Sequence, residues 1–367
     1  MALAVAMGIG RFVYTPILPF MAESLPLTTA EAGLIASANF LGYLVGALAA
    51  ATPWMSGSRR FWFMAGLVAS AATTLLTAAA TTVPTLATIR LVGGVASAFV
   101  LVFASSLVLE RLATSGRSGL MWIHFAGVGI GIALSAALVA ALAAGDHGWR
   151  AQWIGAGLVA LVAVPVIAAL VPPDSGGGAG RAGFAPISMS ARLWALVGAY
   201  GLFGFGYVIT ATFLVAIVRN SPEVRHLEAL AWIVVGLAGC PSVALWSALG
   251  RRIGVFTAFA VACVVEAIGV VASVLTASAA AVFIAAIFLG GTFVGITALG
   301  LIGARTLSAS DPRRVLALMT VSFGLGQIVG PILAGFMVDR TGSFTLPSLL
   351  AAGALAVAAG LAWSLDR

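Results

Sequence analysis

Arg11 is the residue whose chemistry most needs an explanation. It stands in the middle of an apolar run, in Gly8-Ile9-Gly10-Arg11-Phe12, and Tyr14 and Thr15 follow it. A charged side chain at the centre of a membrane-spanning helix costs ~2.5–3.5 kcal/mol on insertion scales, so one that is kept there has a use. Gly8 and Gly10 let another group approach closely. Pro16 and Pro19 are expected to loosen the helix beyond the arginine and to free carbonyl oxygens. The expectation is an arginine that faces an interior cavity; the competing reading is one that snorkels to the outer headgroups. Arg90, near the start of another apolar run, has the same two readings, with pairing to a helix end as a third.

The other candidates are weaker. Glu266 lies mid-run, and a buried carboxyl that can be neutral or charged is a natural proton carrier; the alternative is a protonated group bonded silently to a neighbouring helix. Tyr200, Phe203, Tyr207 and Thr210 recur at i, i+3, i+7 and i+10, which puts them on one helix face. Aromatic bodies with hydroxyl tips suit a solute of mixed polarity, or the face serves packing alone. Asn39, His124 and Gln327 are lone polar groups in apolar runs, and each is either a cavity contact or an interhelical hydrogen bond.

The elements that carry these residues follow from composition. The chain has 367 residues, 62% hydrophobic and 8% charged. A soluble chain carries roughly a quarter charged residues, so lipid is the solvent. Twelve apolar runs occur, at about 1–22, 30–51, 61–81, 84–109, 119–144, 152–171, 193–218, 229–249, 255–277, 279–303, 315–338 and 345–364. They are too long, and alternate too little, for barrel strands. Their many glycines (44 in the chain) let bare helices approach closely in lipid. The fold class expected is therefore all-α, an integral membrane protein of twelve transmembrane helices.

All 18 basic residues are arginine. Without lysine there is no Walker A phosphate loop and no Schiff-base cofactor chemistry, so neither ATP nor a cofactor is expected. The arginines are scattered singly and in pairs, which excludes a nucleic-acid stripe. Cys240 and Cys263 both lie in apolar runs and are read as small buried hydrophobes. The histidines His124, His147 and His226 form no His-Glu-x-x-His, and no carboxylate cluster suits a metal, so neither an enzyme nor a metal site is expected.

Arginine placement gives orientation. Counted alternately, one set of loops and ends holds Arg59, Arg60, Arg111, Arg117, Arg181, Arg192, Arg251, Arg252, Arg305, Arg313, Arg314 and Arg367; the other holds Arg150, Arg219, Arg225 and Arg340. The richer side is the cytoplasm, which puts both termini inside and the protein in a plasma (inner) membrane. Residues 172–192 hold Pro172, Pro173, Asp174 and the glycines 176–178, and read as a cytoplasmic linker between six-helix units at 1–171 and 193–367. The units echo each other: Gly57-Ser58-Arg59-Arg60 against Gly250-Arg251-Arg252, and Gly127, Gly129, Gly131 against Gly324, Gly326, Gly330. Duplicated six-helix bundles are a transporter signature, because two similar halves can rock about a central site. Met1 already stands at an apolar run, and the stretch to Met21 is ~31 Å of helix with nothing spare, so a start lying further upstream or a shortened first helix is expected.

Several stretches resemble the major facilitator superfamily (MFS), over essentially the whole chain. Gly8-Ile9-Gly10-Arg11-Phe12 with Tyr14-Thr15-Pro16, Leu202-Phe203-Gly204-Phe205-Gly206-Tyr207 leading to Ala211-Thr212-Phe213, and Gly290-Gly291-Thr292-Phe293-Val294-Gly295 together resemble its YbfB/YjiJ-type subgroup. Arg90-Leu91-Val92-Gly93-Gly94 resembles the superfamily's fourth-helix Arg-x-x-x-Gly pattern, and Gly326-Gln327-Ile328-Val329-Gly330-Pro331 its Gly-x-x-x-Gly-Pro element, here on span eleven instead of span five. The resemblance implies two six-helix bundles around a central cavity lined by spans one and four, which favours Arg90. It places Thr292 among the candidate binding residues and span nine, with Glu266, at the periphery. The loop at Thr52–Arg60 has the superfamily's basic pair but lacks its Asp.

The function expected is secondary transport of a small solute by alternating access, coupled to protons, by a monomer embedded in lipid. Two arginines on cavity-lining spans repel by a few kcal/mol at an effective dielectric near ~20 unless something neutralises them. Away from their ends, the spans expected to line the cavity carry no acidic residue, so an organic anion is favoured. Efflux of a neutral or cationic solute, and a non-transporting receptor of the same fold, remain as alternatives. The topology is testable: single cysteines at Ser24 and Gly177, in a chain lacking Cys240 and Cys263, are expected to react with an impermeant thiol reagent from opposite faces. Labelling of both from one face contradicts the twelve-span count.

Overall fold

Helix starts in this chain are written in Ser and Thr. Thr28, Ser58, Thr82, Ser190 and Ser278 each accept the backbone N–H three residues on, and Thr28 with Glu31 forms a reciprocal capping box. In the computed structural model, which describes residues 1–52, 55, 57–171, 190–308 and 312–366, these caps open helices of membrane-spanning length. Residues 172–189 of the linker, and Pro53, Trp54 and Ser56 of the loop between spans two and three, lie outside the described residues.

Among the described residues there are twelve helices long and apolar enough to cross a bilayer, and no strand. The first span, Ala4–Ser24, is a π-helical segment, Ala4–Ile9, followed by the α-helix α1, Tyr14–Ser24. Then come α2 (Thr29–Ala50), α3 (Arg59–Thr77), α4 (Val83–Thr114), α5 (Met121–Ala144) and α6 (Trp149–Leu170). The second half holds α7 (Ala191–Arg219), α8 (Glu228–Ile253), α9 (Val255–Leu275), α10 (Ala279–Leu307), α11 (Pro312–Thr341) and α12 (Thr345–Trp363). The first span and α7 are the innermost, 89% and 78% buried along their apolar windows, whereas α6 is only 28% buried and shows leucine and valine to lipid. Within the halves α3 packs on α4 and α6, and α9 on α10 and α12; between them α2 meets α11, α5 meets α8 and α1 meets α7.

The first span is broken one turn earlier than its prolines imply. Gly10 N–H bonds back to Val5 O at 2.7 Å and Phe12 N–H to Met7 O at 3.1 Å, both five residues back, and Thr15 N–H reaches only to Phe12 O at 3.3 Å. Pro16 has no N–H, and its ring crowds the carbonyl four residues back, which is that of Phe12. The strain is relieved in the turn that carries Arg11, and the freed carbonyls are those of Gly10 and Arg11.

The halves close on each other at the end opposite the arginine-rich loops. Asp339, at the end of α11, accepts the N–H groups of Thr29 and Ala30 with its two oxygens, each at 2.9 Å. A carboxylate at the α2 N-terminus meets the positive end of that helix dipole. Deeper in, the Ser37 hydroxyl donates to Ile328 O at 2.7 Å and the Thr15 hydroxyl to Ala211 O at 2.8 Å. At the same end Arg219 Nε lies 3.1 Å from Glu23 Oε1. Glycine makes this closure possible: a Cβ on Gly33 would collide with the Pro331 carbonyl, and one on Gly335 with the backbone of Thr29 and Ala30. Gly33→Leu is therefore expected to hold α2 and α11 apart. Spin labels at Ser24 and Ser343 should show a longer inter-label distance in that variant, and an unchanged distance distribution contradicts the closure.

Candidate functional site

Arg11 is 5% exposed, and its Nε and one terminal nitrogen have no hydrogen-bond partner. Its surroundings are aromatic: the guanidinium carbon lies 4.4 Å from the ring centre of Tyr43, 4.7 Å from that of Phe40 and 5.4 Å from that of Phe12. Desolvated cation–π contacts are worth up to ~2 kcal/mol or more, which offsets part of the lost hydration but supplies no counter-charge. Among the described residues no carboxylate pairs with Arg11.

Arg90 is equally buried and differently employed. Its two terminal nitrogens donate to Gly10 O at 2.7 Å and Arg11 O at 2.8 Å, the carbonyls that the broken turn sets free. Asn39 in turn donates to Arg90 O at 2.8 Å. The rings of Tyr14 and Trp153 lie 5.4 and 5.5 Å from the Arg90 guanidinium carbon. One cation thus braces the backbone that presents the other.

Two cavities meet at Arg11. The central one, of about 100 Å³, is lined by Arg11, Phe12 and Tyr43 from the first half and by Tyr207, Phe293, Phe323 and Gln327 from the second. Its walls continue through Leu101, Phe125, Val243 and Leu301 toward the arginine-rich end. The smaller, of about 10 Å³, lies on the other side of Arg11 and is lined by Tyr14, Thr15, Asn39 and Arg90 with Thr212. Beyond it, at the arginine-poor end, a vestibule opens among Leu18, Glu23, Thr29, Phe213 and Arg219. Between vestibule and Arg11 stand the bonds of the Tyr14 hydroxyl to Ala32 O, 2.8 Å, and of Thr15 to Ala211 O, 2.8 Å.

The second half contributes a wall of aligned rings. Tyr207 is within 10° of parallel to Phe293 at 6.0 Å and within 5° of parallel to Phe323 at 5.7 Å. The Gln327 amide donates to the Tyr207 hydroxyl.

Of the residues singled out in the sequence, Arg11, Tyr207 and Gln327 line the central cavity, and Tyr14, Thr15, Asn39 and Arg90 the smaller one. Phe203, Thr210, Thr292 and Glu266 are buried in helix packing and line neither. Phe203 stacks behind Tyr207 at 5.1 Å, and the Thr292 hydroxyl bonds back to Phe288 O at 2.5 Å. Glu266 is fully buried in α9, beside Thr292 of α10. His124 is half-buried, with Nε2 3.1 Å from the Ser105 hydroxyl, and bridges α4 and α5 away from both cavities. Sequence reasoning missed Tyr43 and Phe323. Each was within reach: Tyr43 follows Asn39 by one helical turn, and Phe323 precedes Gln327 by one.

A family model described as "Uncharacterised MFS-type transporter YbfB" matches residues 3–363. The chain belongs to this MFS transporter family. A "Gallate transporter" of Pseudomonas putida is 29% identical over 196 residues, 53% of this chain and 42% of that protein, so the match spans less than half of the relative. In fold, the YbfB-type chain resembles a mutant of the nucleoside transporter NupG, with a TM-score of 0.77 at 15% identity over 100% of this chain and 98% of that one. It also resembles a bacterial homologue of the human lysosomal transporter Spinster, in an inward-facing and unoccupied conformation, with a TM-score of 0.74 at 14% identity over 100% and 95% of the two chains.

The two buried arginines of this YbfB-type protein are expected to differ in stability. Arg90→Met strands two carbonyls, at ~1–3 kcal/mol each, and should lower the thermal unfolding midpoint in detergent. Arg11→Met removes a charge without a counter-charge and should leave the midpoint unchanged or raised. Equal destabilisation by both contradicts the division of labour.

Proposed function

We propose that this protein is a proton-coupled secondary transporter of an organic anion. The observation that carries the reading is Arg11: a buried guanidinium with unpartnered N–H groups, facing a cavity from both sides, with no acidic residue among the cavity-lining positions. An anion completes it. A cationic solute at ~4 Å would instead meet about 4 kcal/mol of repulsion at an effective dielectric of ~20. Guanidinium also matches carboxylate bidentately, which gives orientation as well as charge. Gallate, for which the similar Pseudomonas putida transporter is named, is an organic anion, which supports the same reading.

The arginine-rich end is placed in the cytoplasm and the protein in an inner membrane, as a monomer with both termini inside. On that placement the closed half is the outer one and the conformation faces inward. Arg11 sits at the waist, so rocking of the halves exposes one cation to either side in turn. Tyr14, Thr15, Asn39 and Arg90 shape the outer approach; Tyr207 and Gln327 the inner. Phe203 and Thr210 hold α7 in register, and Thr292 and His124 brace α10 and α5. Glu266, the one buried carboxyl among the described residues, is assigned as the proton carrier. The reading assigns no ATP, nucleic acid, metal or cofactor, and no catalysis.

Counterflow in proteoliposomes across organic acids, sugars and cationic drugs tests it. Transport of an acid is expected, lost in Arg11→Gln, partly kept in Arg11→Lys. Glu266→Gln should retain counterflow but lose accumulation driven by a pH gradient. A cationic solute, or normal flux in Arg11→Gln, contradicts the proposal.

A further inference from the structure

Resting on the organic-anion reading, we infer that the solute is a flat, aromatic monocarboxylate. The charge is set by a single cation. Arg90's terminal nitrogens are committed to Gly10 O and Arg11 O, which leaves Arg11 alone to take an anionic group in the central cavity. A second carboxylate on the solute would find no partner there.

Flatness is set by the opposite wall. Tyr207, Phe293 and Phe323 line the cavity, with the Tyr207 plane within 10° of the other two, at centroid separations of 5.7–6.0 Å. A planar ring that enters the cavity continues an offset stack already built, and a saturated ring of the same size does not. Phe12, edge-on to Phe293 at 5.9 Å with an interplanar angle of 73°, links this wall to the residue beside Arg11.

Polar groups in the cavity lining are few. Thr297 lines the cavity, but its hydroxyl donates to Phe293 O at 2.8 Å. The Tyr207 hydroxyl already accepts from the Gln327 amide. The Gln327 Oε1 is buried and unpartnered and can accept from a hydroxyl on the solute, and the Tyr43 hydroxyl lines the same cavity. Most of the remaining lining is aliphatic or aromatic: Met7, Leu101, Val128, Val243, Val294 and Leu301.

Equilibrium binding of radiolabelled benzoate to the purified full chain in detergent tests this, with unlabelled competitors. 4-Hydroxybenzoate should compete at least as well as benzoate. Cyclohexanecarboxylate, with the same charge and a puckered ring, should bind about 10-fold more weakly. Benzamide, the neutral isostere, and terephthalate, the dianion, should compete at least about 100-fold more weakly. Phe323→Leu should bring benzoate and cyclohexanecarboxylate to near-equal affinity while both still bind; Phe293→Leu provides the same comparison if Phe323→Leu unfolds. Equal binding of the two acids to the unmutated protein overturns the aromatic assignment, and preference for terephthalate overturns the single carboxylate; either leaves the organic-anion reading intact. Binding of benzamide as tightly as benzoate, or failure of every carboxylate to bind, overturns both.

Discussion

An arginine cannot be left in a membrane interior without something to face, and much of the architecture around the first span can be read as an answer for Arg11. The turn that carries it is distorted by Pro16, which lacks an N–H and crowds the preceding turn. That distortion orphans two carbonyls, and in a low-dielectric interior an orphaned carbonyl costs about as much as a lost hydrogen bond. Arg90 satisfies both, and is itself held by Asn39 and stacked near Tyr14 and Trp153. The aromatic collar of Phe12, Phe40 and Tyr43 holds the guanidinium plane without cancelling its charge. The net result is a cation fixed in place and still short of an anion.

The same chain must then let that cation be reached from two sides. Glycine-to-backbone contacts between α2 and α11, and between α5 and α8, give interfaces with little side-chain interlock. Such surfaces hold by close van der Waals approach, which rocking can make and break without repacking a core. The polar contacts of the closed end are few and exposed or short-ranged: Asp339 on the α2 N-terminus, Glu23 with Arg219, Ser37 and Thr15 on facing carbonyls. An exposed ion pair such as Glu23–Arg219 contributes ~1 kcal/mol or less, so the closed state is held by several small terms instead of one large one.

How much of this was legible beforehand follows from which physics acts locally. The twelve spans were readable, because length and apolarity alone decide what can cross a bilayer. So was Arg11, because a charge in an apolar run announces its cost. Arg90's work was not: the carbonyls it satisfies exist only once the first span has broken, and the sequence implied that break one turn too late. Tyr207 and Thr210 were placed on one face of α7 by spacing, yet Tyr207 reaches the cavity and Thr210 is buried in packing, because what faces each residue is set by neighbouring helices. Tyr43, Phe293 and Phe323 were ordinary membrane aromatics in sequence. Their function as a collar and an aligned wall comes from helices distant in the chain and brought together only by the fold.

The central claim is that Arg11 is the anion anchor. A structure of the protein determined with a transported solute bound tests it most directly. The account predicts acidic oxygens of the solute within ~2.7–2.9 Å of the Arg11 guanidinium, with Arg90 still bonded to the Gly10 and Arg11 carbonyls. A solute seated away from Arg11, or an Arg11 found paired with a carboxylate of the protein itself, would contradict it.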